Sequence, residues 1–354
     1  MTILAAILGT GFWAQSAHVP ALRGVGGVEL VACVGRTAES AERFAATEGI
    51  PYAFNSLDRL LESAERPDLL VVAGPDDIHP AATAAALRAG VAVFCEKPLA
   101  NTAAEAEELA SLAELTGVPA TVGYSFRYGP AVQALKRDVA TERLGKPWLL
   151  ELFEYNAQFH PRLRKPMNWK GDPVHAAAGA LYEYGSHVVD LAGWLAGPVR
   201  EVSTSLTRVL PGARLDDIAT IQLRLAGPAI GVLVCGWVLS GSIPGIRIRL
   251  HGSEGLGEVE MSQTLRGHQV YRRYELDGSV REEVELEPLG DPRSAYAFRH
   301  LTDFVARVRG GRPTHEETLP TLADGARVQR VLDAALGATK HWAAVRDGDA
   351  ELVS

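Results

Sequence analysis

The chain has few cysteines and no long apolar segment. Its 354 residues contain three cysteines, all within apolar runs and without metal-ligand spacing: Cys33, Cys95 and Cys235. We therefore predict neither a disulfide framework nor a metal site, and a reducing compartment is implied. The longest apolar run, 229–239, is too short to span a bilayer, and residues 1–6 lack the positive charge of a signal peptide. We expect a cytoplasmic protein with no membrane segment.

The chain also lacks an excess of basic residues. Its formal net charge is −8 and its pI is near 5.7. Nucleic-acid binding needs clustered Lys and Arg, so this class of partner is not expected, and a small-molecule ligand fits better. The 47% hydrophobic content is typical of a globular protein, and the length is sufficient for two domains.

Short apolar segments alternate with helix-favouring segments in the first third of the chain. The apolar segments are 3–8, 28–34, 69–73, 92–95 and 120–122. Ala-rich stretches at 81–89 and 103–115 favour helices, and Thr102 with Glu105 matches a capping box at the start of the second stretch. This alternation predicts a doubly wound parallel sheet of the Rossmann type over residues 1–123, within an α/β protein.

The pattern changes after Tyr124. Polar and apolar residues now alternate at 220–225 and 246–250, which is typical of an antiparallel sheet with one solvated face. Helices predicted over 179–195, 295–308 and 321–342 can cover the other face. We predict an α+β domain over residues 124–354 with a large, mostly antiparallel sheet, whose last helices can pack back on the first domain. An exposed sheet face with Trp237 would pair with a copy of itself, giving a homodimer or a homotetramer.

A dinucleotide-binding motif follows the first predicted strand. The segment Gly9-Thr10-Gly11-Phe12-Trp13-Ala14 matches G-x-G-x-x-A in a strand-turn-helix context. In this motif Gly9 permits the tight turn, Gly11 lets the pyrophosphate approach, and Ala14 allows close packing of the helix. The helix N-terminus favours an anion, with Phe12 and Trp13 beside it. A glycine-rich turn without a ligand is the alternative.

The end of the second predicted strand bears on the choice of dinucleotide. NAD-specific proteins usually have Asp or Glu here, whereas this chain has Arg36 and Thr37. A guanidinium can pair with a 2′-phosphate, so we predict a preference for NADP, with NAD remaining possible. Arg43 is a second candidate for this contact, and the alternative for Arg36 is a solvated surface side chain.

Polar residues suited to proton transfer lie at the end of the 92–95 strand and in the segment 183–190. The first group is Cys95-Glu96-Lys97-Pro98, at the strand end where open α/β sheets bind ligands. The second is Glu183-Tyr184-Gly185-Ser186-His187-Val188-Val189-Asp190. With the motif at 9–14, Gly74-Pro75-Asp76 followed by His79, and the segments 123–128 and 252–255, the chain resembles the glucose-fructose oxidoreductase, inositol dehydrogenase and MocA family.

This resemblance implies a reaction and a set of site residues. The reaction is hydride transfer between C4 of a nicotinamide and a carbinol or carbonyl carbon, with Lys97 bridging cofactor and substrate oxygen and His187 transferring the proton. Glu183 would orient His187 or contact a substrate hydroxyl, with a structural salt bridge as the alternative. The Lys97–Pro98 peptide is expected to be cis. Further cofactor contacts are implied for Gly74, Pro75, His79, Glu96 and Pro98.

Aromatic and polar side chains near the expected pocket suit a polyhydroxylated substrate. The candidates for substrate contact are Tyr124, Arg127, Tyr155, Trp169 and Tyr184. The predicted function is an NAD(P)-dependent oxidoreductase acting on a sugar, a cyclitol or a related polyol. Two alternatives remain: redox-neutral, NAD-dependent cleavage of a glycoside, and a dinucleotide-sensing regulatory protein without catalysis. Ser125 and the segment 177–179 depart from the family pattern, so the substrate is not inherited.

Overall fold

Two β-sheets with helices packed on them organise the chain. The computed structural model describes residues 2–239, 245–262, 268–286 and 290–338. The first sheet is parallel, with six strands in the order β3-β2-β1-β4-β5-β6. Its strands are β1 Ile3–Leu8, β2 Val28–Val34, β3 Tyr52–Phe54, β4 Leu69–Val72, β5 Ala92–Cys95 and β6 Ala120–Val122. Every residue of β4 and β5 is buried, as expected for a parallel sheet covered on both faces. The predicted Rossmann-type sheet is therefore confirmed.

The helices of this half connect its parallel strands. They are α1 Val19–Gly24, α2 Ala38–Glu48, α3 Leu57–Glu62, α4 His79–Arg88 and α5 Ala103–Thr116. Thr102 caps α5 by accepting a hydrogen bond from the Glu105 amide, so the predicted helix start is confirmed. The short edge strand β3 was not predicted, because its three residues are exposed or half-buried and form no apolar run.

A π-helical turn precedes α1. Residues Ala14–His18 form this turn, and the Val19 amide donates to the Ala14 carbonyl five residues back. Pro20 lacks the N–H that an α-helix would need at this point, which favours the wider turn. Trp13 and His18 consequently lie on the same side of the helix, where both ring nitrogens reach Oε1 of Glu96, at 3.0 and 2.8 Å. The sequence analysis predicted a helix here but not its π geometry.

The second sheet has eight strands in the order β14-β13-β12-β11-β7-β10-β9-β8. They are β7 Pro147–Tyr155, β8 Val199–Thr207, β9 Ile218–Leu225, β10 Ile230–Gly236, β11 Ile246–Gly252, β12 Leu256–Met261, β13 Gln269–Tyr274 and β14 Val280–Leu286. All neighbours are antiparallel except β7 and β10, which confirms the mostly antiparallel sheet.

One face of this sheet is covered by helices. The helices of this half are α6 Pro130–Ala140, α7 Ala180–Glu183, α8 Gly185–Ala196, α9 Pro292–Val308 and α10 Leu322–Gly337. α6 and α8 pack on the sheet, α9 packs on α1, and α10 lies between α5 and α8. The helix predicted over 179–195 is two helices, because the chain turns at Tyr184. The end of the helix predicted over 321–342 falls outside the described residues. None of the helices in the described ranges has the length and hydropathy of a membrane span.

The other sheet face differs from prediction at Trp237. This side chain is 1% exposed, and its indole donates to Oδ1 of Asp217 at 2.7 Å. Since β10 ends at Gly236, Trp237 turns inward and cannot contribute to an exposed face. Instead Ile230 and Val232 are the exposed apolar residues of β10, at 49% and 37%.

His300 on α9 joins this helix to the first sheet. Its Nε2 lies 2.8 Å from Oγ1 of Thr121, and its Nδ1 lies 3.1 Å from Oγ of Ser125. The ring packs between Phe94 and Tyr128, at centroid distances of 4.6 and 4.9 Å. Ser125, expected near the substrate pocket, thus bonds to this buried ring. Burial lowers the pKa of His300 to about 3.

This buried imidazole should make the fold sensitive to acid. The unfolded chain protonates His300 near its ordinary pKa of 6.5, whereas the native ring resists protonation until about 3. The stability that the neutral ring supplies is therefore present above the unfolded pKa and is lost as pH falls, by about 1.4 kcal/mol per pH unit. Urea unfolding across this interval should show a steeper loss for the wild type than for His300→Gln, which keeps both hydrogen-bonding directions. Parallel pH curves for the two proteins would contradict the expectation.

Candidate active site

The turn between β1 and the first helix requires glycine and leaves open space above it. Gly9 has φ +119°, and a Cβ there would lie 2.4 Å from the Ala73 carbonyl oxygen. A Cβ at Gly11 would meet nothing within 4 Å, so the backbone of this turn is accessible to a ligand. Ala14 is fully buried, whereas Phe12 and Trp13 are partly exposed. These features match what a dinucleotide-binding turn needs.

The segment that follows β5 is tied to this turn. Glu96 is buried; its Oε1 accepts from Trp13 and His18, and its Oε2 accepts from the Lys97 amide at 3.1 Å. Burial would raise the pKa of Glu96, but His18, Lys97 and Trp13 together lower it to about 2. Because protein donors occupy both oxygens, Glu96 positions the turn, and the expectation that it contacts the cofactor directly is not supported. The Lys97–Pro98 peptide is cis, as the resemblance implied.

His79 at the start of α4 fastens two loops together. Its Nδ1 lies 2.7 Å from the Pro98 carbonyl oxygen, and its Nε2 lies 3.1 Å from that of Gly74. A carbonyl can only accept, so both nitrogens donate and the ring is protonated. Although burial disfavours the charge, Cys95, the Pro98 carbonyl and Glu96 raise the pKa of His79 to about 9. His79 has no free nitrogen for a dinucleotide; it holds the loops of Gly74-Pro75 and Lys97-Pro98, which remain candidates for that contact.

Lys97 is held by Glu183. Its Nζ donates to the Glu183 carbonyl oxygen at 2.8 Å and lies 3.3 Å from Oε2 of the same residue, while Oε1 pairs with Lys170. Burial lowers the pKa of Lys97, but Glu183, Asp76 and Glu96 outweigh it and raise the pKa above its ordinary value. Burial raises the pKa of Glu183, but the charges of Lys170 and Lys97 outweigh burial and lower that pKa below its ordinary value. The site therefore holds two ammonium groups around one carboxylate.

This geometry bears on the two interpretations of Glu183. The proposed face shared with His187 assumed one continuous helix, but α7 ends at Glu183 and α8 begins at Gly185. The structure shows the salt bridge, and among the described contacts no hydrogen bond joins Glu183 to His187. Asp76, buried beside these charges, was named from the sequence only as part of the motif Gly74-Pro75-Asp76 and was given no role; burial raises its pKa to about 8 despite Lys97. Its position after a strand end next to Pro75 is the signal that was available.

His187 lies in the first turn of α8 with a free ring nitrogen. Its Nδ1 is buried and has no hydrogen-bond partner in the part of the chain that the structure describes. The ring packs against Phe126 at 4.2 Å and faces Tyr124 at 6.4 Å. Burial, and then the charge of Lys97, lower the pKa of His187 to about 3. Since buried polar atoms are nearly always paired, a neutral ring with an unpaired nitrogen suits a proton acceptor.

Some of the side chains expected to contact substrate are already bonded to other protein groups. Arg127 is 4% exposed, and its guanidinium pairs with Asp190, Nε to Oδ2 at 2.9 Å, and with Asp324 at 3.4 Å. It ties the short turn Ser125–Tyr128 to α8 and α10, so these contacts give a structural role and do not support its assignment as a substrate ligand. The hydroxyl of Tyr184 accepts from Asn156 at 2.9 Å.

The remaining aromatic candidates differ in exposure. Tyr124 is buried beside His187, whereas Tyr155 and Trp169 are half-buried. Trp169 begins a short 3₁₀ turn that also contains Lys170. Trp169 therefore adjoins the charged centre, whereas Tyr124 supports the ring of His187.

The turn after β2 holds an unpaired cation. Thr37 caps α2 by accepting from the Ser40 amide at 3.1 Å. Arg36 is exposed and forms no hydrogen bond or ion pair with the described residues. Arg43, the second candidate, lies 3.6 Å from Glu39. A cavity of about 340 Å³ opens beside this turn and includes Glu42, Phe54 and Arg59 in its lining.

Similarity to known proteins follows the same two halves. Residues 3–124 match the model of an oxidoreductase family with an NAD-binding Rossmann fold, and residues 132–279 match the GFO/IDH/MocA C-terminal domain. D-apiose dehydrogenase of Paraburkholderia graminis is 27% identical over 74% of this chain and 69% of its own length. A 1,5-anhydro-D-fructose reductase of Ensifer adhaerens is 26% identical over 91% of this chain and 94% of its own.

Among solved structures, a levoglucosan dehydrogenase in complex with NADH and levoglucosan superposes with a TM-score of 0.84. It is 21% identical, over 96% of this chain and 97% of that one, and shows the shared fold. Because the two family models together cover most of the chain, the protein belongs to the Gfo/Idh/MocA family of oxidoreductases, with an NAD-binding Rossmann fold.

Proposed function

We propose that this protein is an NAD(P)-dependent oxidoreductase that moves a hydride between nicotinamide C4 and a carbinol or carbonyl carbon of a sugar, cyclitol or related polyol. The observation that carries the proposal is the pairing of a buried Lys97 ammonium with a neutral His187 whose Nδ1 is unpaired. Leaving a buried imidazole nitrogen without a partner costs free energy, and a hydrogen bond from a substrate hydroxyl would recover it.

The residues present fit a dinucleotide. Gly9 and Gly11 keep the first turn tight and open, and Glu96 fixes that turn against the segment bearing Lys97. The backbone amides at the helix N-terminus would hold the pyrophosphate. When bound, the nicotinamide supplies the hydride acceptor or donor. Glu183 keeps the Lys97 ammonium at the carboxyl end of β5, beside that turn.

Lys97 and His187 would divide the proton chemistry. An ammonium held against a substrate oxygen lowers the pKa of a hydroxyl and stabilises the alkoxide as it develops. The neutral ring of His187 can then accept the hydroxyl proton at Nδ1. Its pKa of about 3 leaves the ring unprotonated at neutral pH, which is the state that can accept a proton, but it also makes the ring a weak base, so the pKa does not indicate the direction of the reaction.

The names of relatives support a sugar or polyol as substrate. One is a dehydrogenase of D-apiose, and another is a reductase of 1,5-anhydro-D-fructose. A nicotinamide-absorbance screen of polyols, cyclitols and keto-sugars with both dinucleotides tests the proposal, after a check for co-purified nucleotide. Turnover with a net absorbance change supports it. Glycoside cleavage without net redox change would favour the redox-neutral alternative, and dinucleotide binding that alters only a partner protein would favour the sensor.

We propose NADP as the preferred dinucleotide, with NAD as the alternative. Arg36 supports this because it is exposed and unpaired at the end of β2, with Arg59 across the adjacent cavity. Replacing Arg36 with Ala should raise KM for NADPH about tenfold and leave KM for NADH nearly unchanged, since a guanidinium–phosphate pair contributes on the order of 1–2 kcal/mol. Arg137→Ala is the matched control, because Arg137 is exposed on α6, which packs on the second sheet. Equal effects of Arg36→Ala on both cofactors would count against the preference.

A homodimer or homotetramer is the proposed assembly. The sheet face that carries Ile230 and Val232 has no helix over it among the described elements, and apolar side chains on such a face favour pairing with a second copy.

A further inference from the structure

The loop between β7 and α7 has a charge opposite to that of the whole chain. Within residues 156–178 it carries four Lys or Arg and one Asp, whereas the chain has a net charge of −8. The basic residues are Arg162, Arg164, Lys165 and Lys170. A local positive field in an acidic protein attracts anions selectively, because the rest of the surface repels them.

This loop lies across the site. Near its start, Asn156 donates to the Tyr184 hydroxyl at 2.9 Å, and further along Lys170 pairs with Glu183. Near its end, His175 lies 3.3 Å from Asp77, which follows β4 of the first sheet. The loop therefore connects the two halves of the molecule beside Lys97.

Three of the four cations have no anionic partner. Arg162, Arg164 and Lys165 are exposed, and their side chains form no hydrogen bond or ion pair with the described residues. Lys165 instead lies 5.7 Å from the centre of the Phe159 ring. Several arginines of the second sheet are paired by contrast; Arg249, for example, bonds to Glu258 at 2.5 Å. Like charges placed this close repel one another, and an anionic ligand would relieve that repulsion.

The loop is held in a defined shape. Three prolines, Pro161, Pro166 and Pro173, restrict its backbone, and two 3₁₀ turns, Pro161–Leu163 and Trp169–Gly171, fold it. The side chain of Asp172 accepts from the Val174 amide and pairs with Arg214, at 3.1 and 3.3 Å. A loop ordered in this way loses less conformational entropy when it binds a ligand.

We propose that the substrate carries an anionic group, a phosphate or a carboxylate, and that the loop 156–178 binds this group while Lys97 and His187 act on a hydroxyl. The inference rests on the proposed function and narrows its substrate class. Trp169 adjoins Lys170 in the same turn and offers an apolar face to the sugar ring. The carbon skeleton and the anionic group are thus recognised by neighbouring parts of one loop.

The test compares a hexose phosphate, a hexuronate and the parent neutral hexose at saturating NAD and NADP. We expect kcat/KM for at least one anionic sugar to exceed that for the neutral sugar by on the order of tenfold or more, and to fall with rising salt. The double variant Arg164→Glu/Lys165→Glu should remove this advantage and leave turnover of the neutral sugar nearly unchanged. Arg88→Glu/Arg137→Glu, with exposed arginines near the ends of α4 and α6, is the control matched in charge.

Each outcome of this experiment either supports or overturns the inference. Preference for the phosphate or for the hexuronate identifies the anion, and either supports the inference. Equal turnover of neutral and anionic sugars, unaffected by the loop variant, overturns it while the proposed function stands. If no sugar is turned over, the hexose phosphate and the hexuronate are each titrated by calorimetry into the dinucleotide-saturated protein. Binding of either that is lost in the loop variant but kept in the control supports the inference, and binding of neither to the wild type overturns it.

Discussion

Replacing Lys97 with Met is expected to lower kcat by about 10³-fold, because the variant loses the cation that stabilises the developing alkoxide. Methionine has a similar length without the charge. The substitution should not leave the buried carboxylate of Glu183 without a partner, since Glu183 stays paired with Lys170. Binding of the dinucleotide should therefore persist, measured by quenching of protein fluorescence with NADH and NADPH.

The exposed Lys146 provides a control for this experiment. Lys146→Met should retain the wild-type kcat and thermal stability. A Lys97→Met enzyme that keeps more than about one-tenth of its kcat would refute the role of the ammonium, because loss of one such donor typically costs at least 10²-fold. Loss of dinucleotide binding together with kcat would instead assign Lys97 to cofactor binding.

Replacing His187 with Ala is expected to lower kcat for alcohol oxidation by about 10²-fold. The ring is buried and its pKa is about 3, so it stays neutral from acid to alkaline pH, and its protonation should not limit the rate near neutrality. The ratio of wild-type kcat to His187→Ala kcat should accordingly be similar at each pH between about 5 and 8. Imidazole added to the variant should restore part of the activity, since the deletion leaves space beside Phe126.

Partial recovery with imidazole distinguishes proton transfer from a packing role. If His187 only supported Phe126 and Tyr124, the variant would lose thermal stability and imidazole would not restore kcat. A His187→Phe variant, which preserves a ring against Phe126, serves as the packing control. Full activity in His187→Phe would contradict the proposed proton acceptor.

The sequence predicted the first sheet well because its strands are buried on both faces. Continuous apolar runs at β1, β4 and β5, and a run at β2 that only Glu29 interrupts, leave little ambiguity, whereas the edge strand β3 has no such run. In the second sheet, alternation located β9 and β11 but not Trp237, whose side chain is set by Asp217. Contacts of this kind depend on tertiary structure and have no local signature.

Among the site residues, too, those in local motifs could be predicted, whereas contacts between distant parts of the chain could not. Lys97 and His187 lie in motifs, and the structure brings them together. The ion pairs of Arg127 could not be predicted, because its partners, Asp190 and Asp324, are distant in the chain and come close only in the fold. The break between α7 and α8 at Tyr184 was likewise missed. Pro20 was a visible sign of an interrupted first helix, but the hydrogen bonds of Trp13 and His18 to Glu96 have no local signature.

The π-helical turn joins the proposed dinucleotide-binding turn and the segment that bears Lys97 into one unit. Trp13 and His18 of the first helix both bond to Glu96, the residue before Lys97, so we expect a redesign of residues 9–18 to disturb the position of Lys97 as well. Arg36, exposed and unattached at the end of β2, lies outside this unit. An engineer seeking to exchange one dinucleotide for the other should therefore change the turn after β2 and leave the first helix intact.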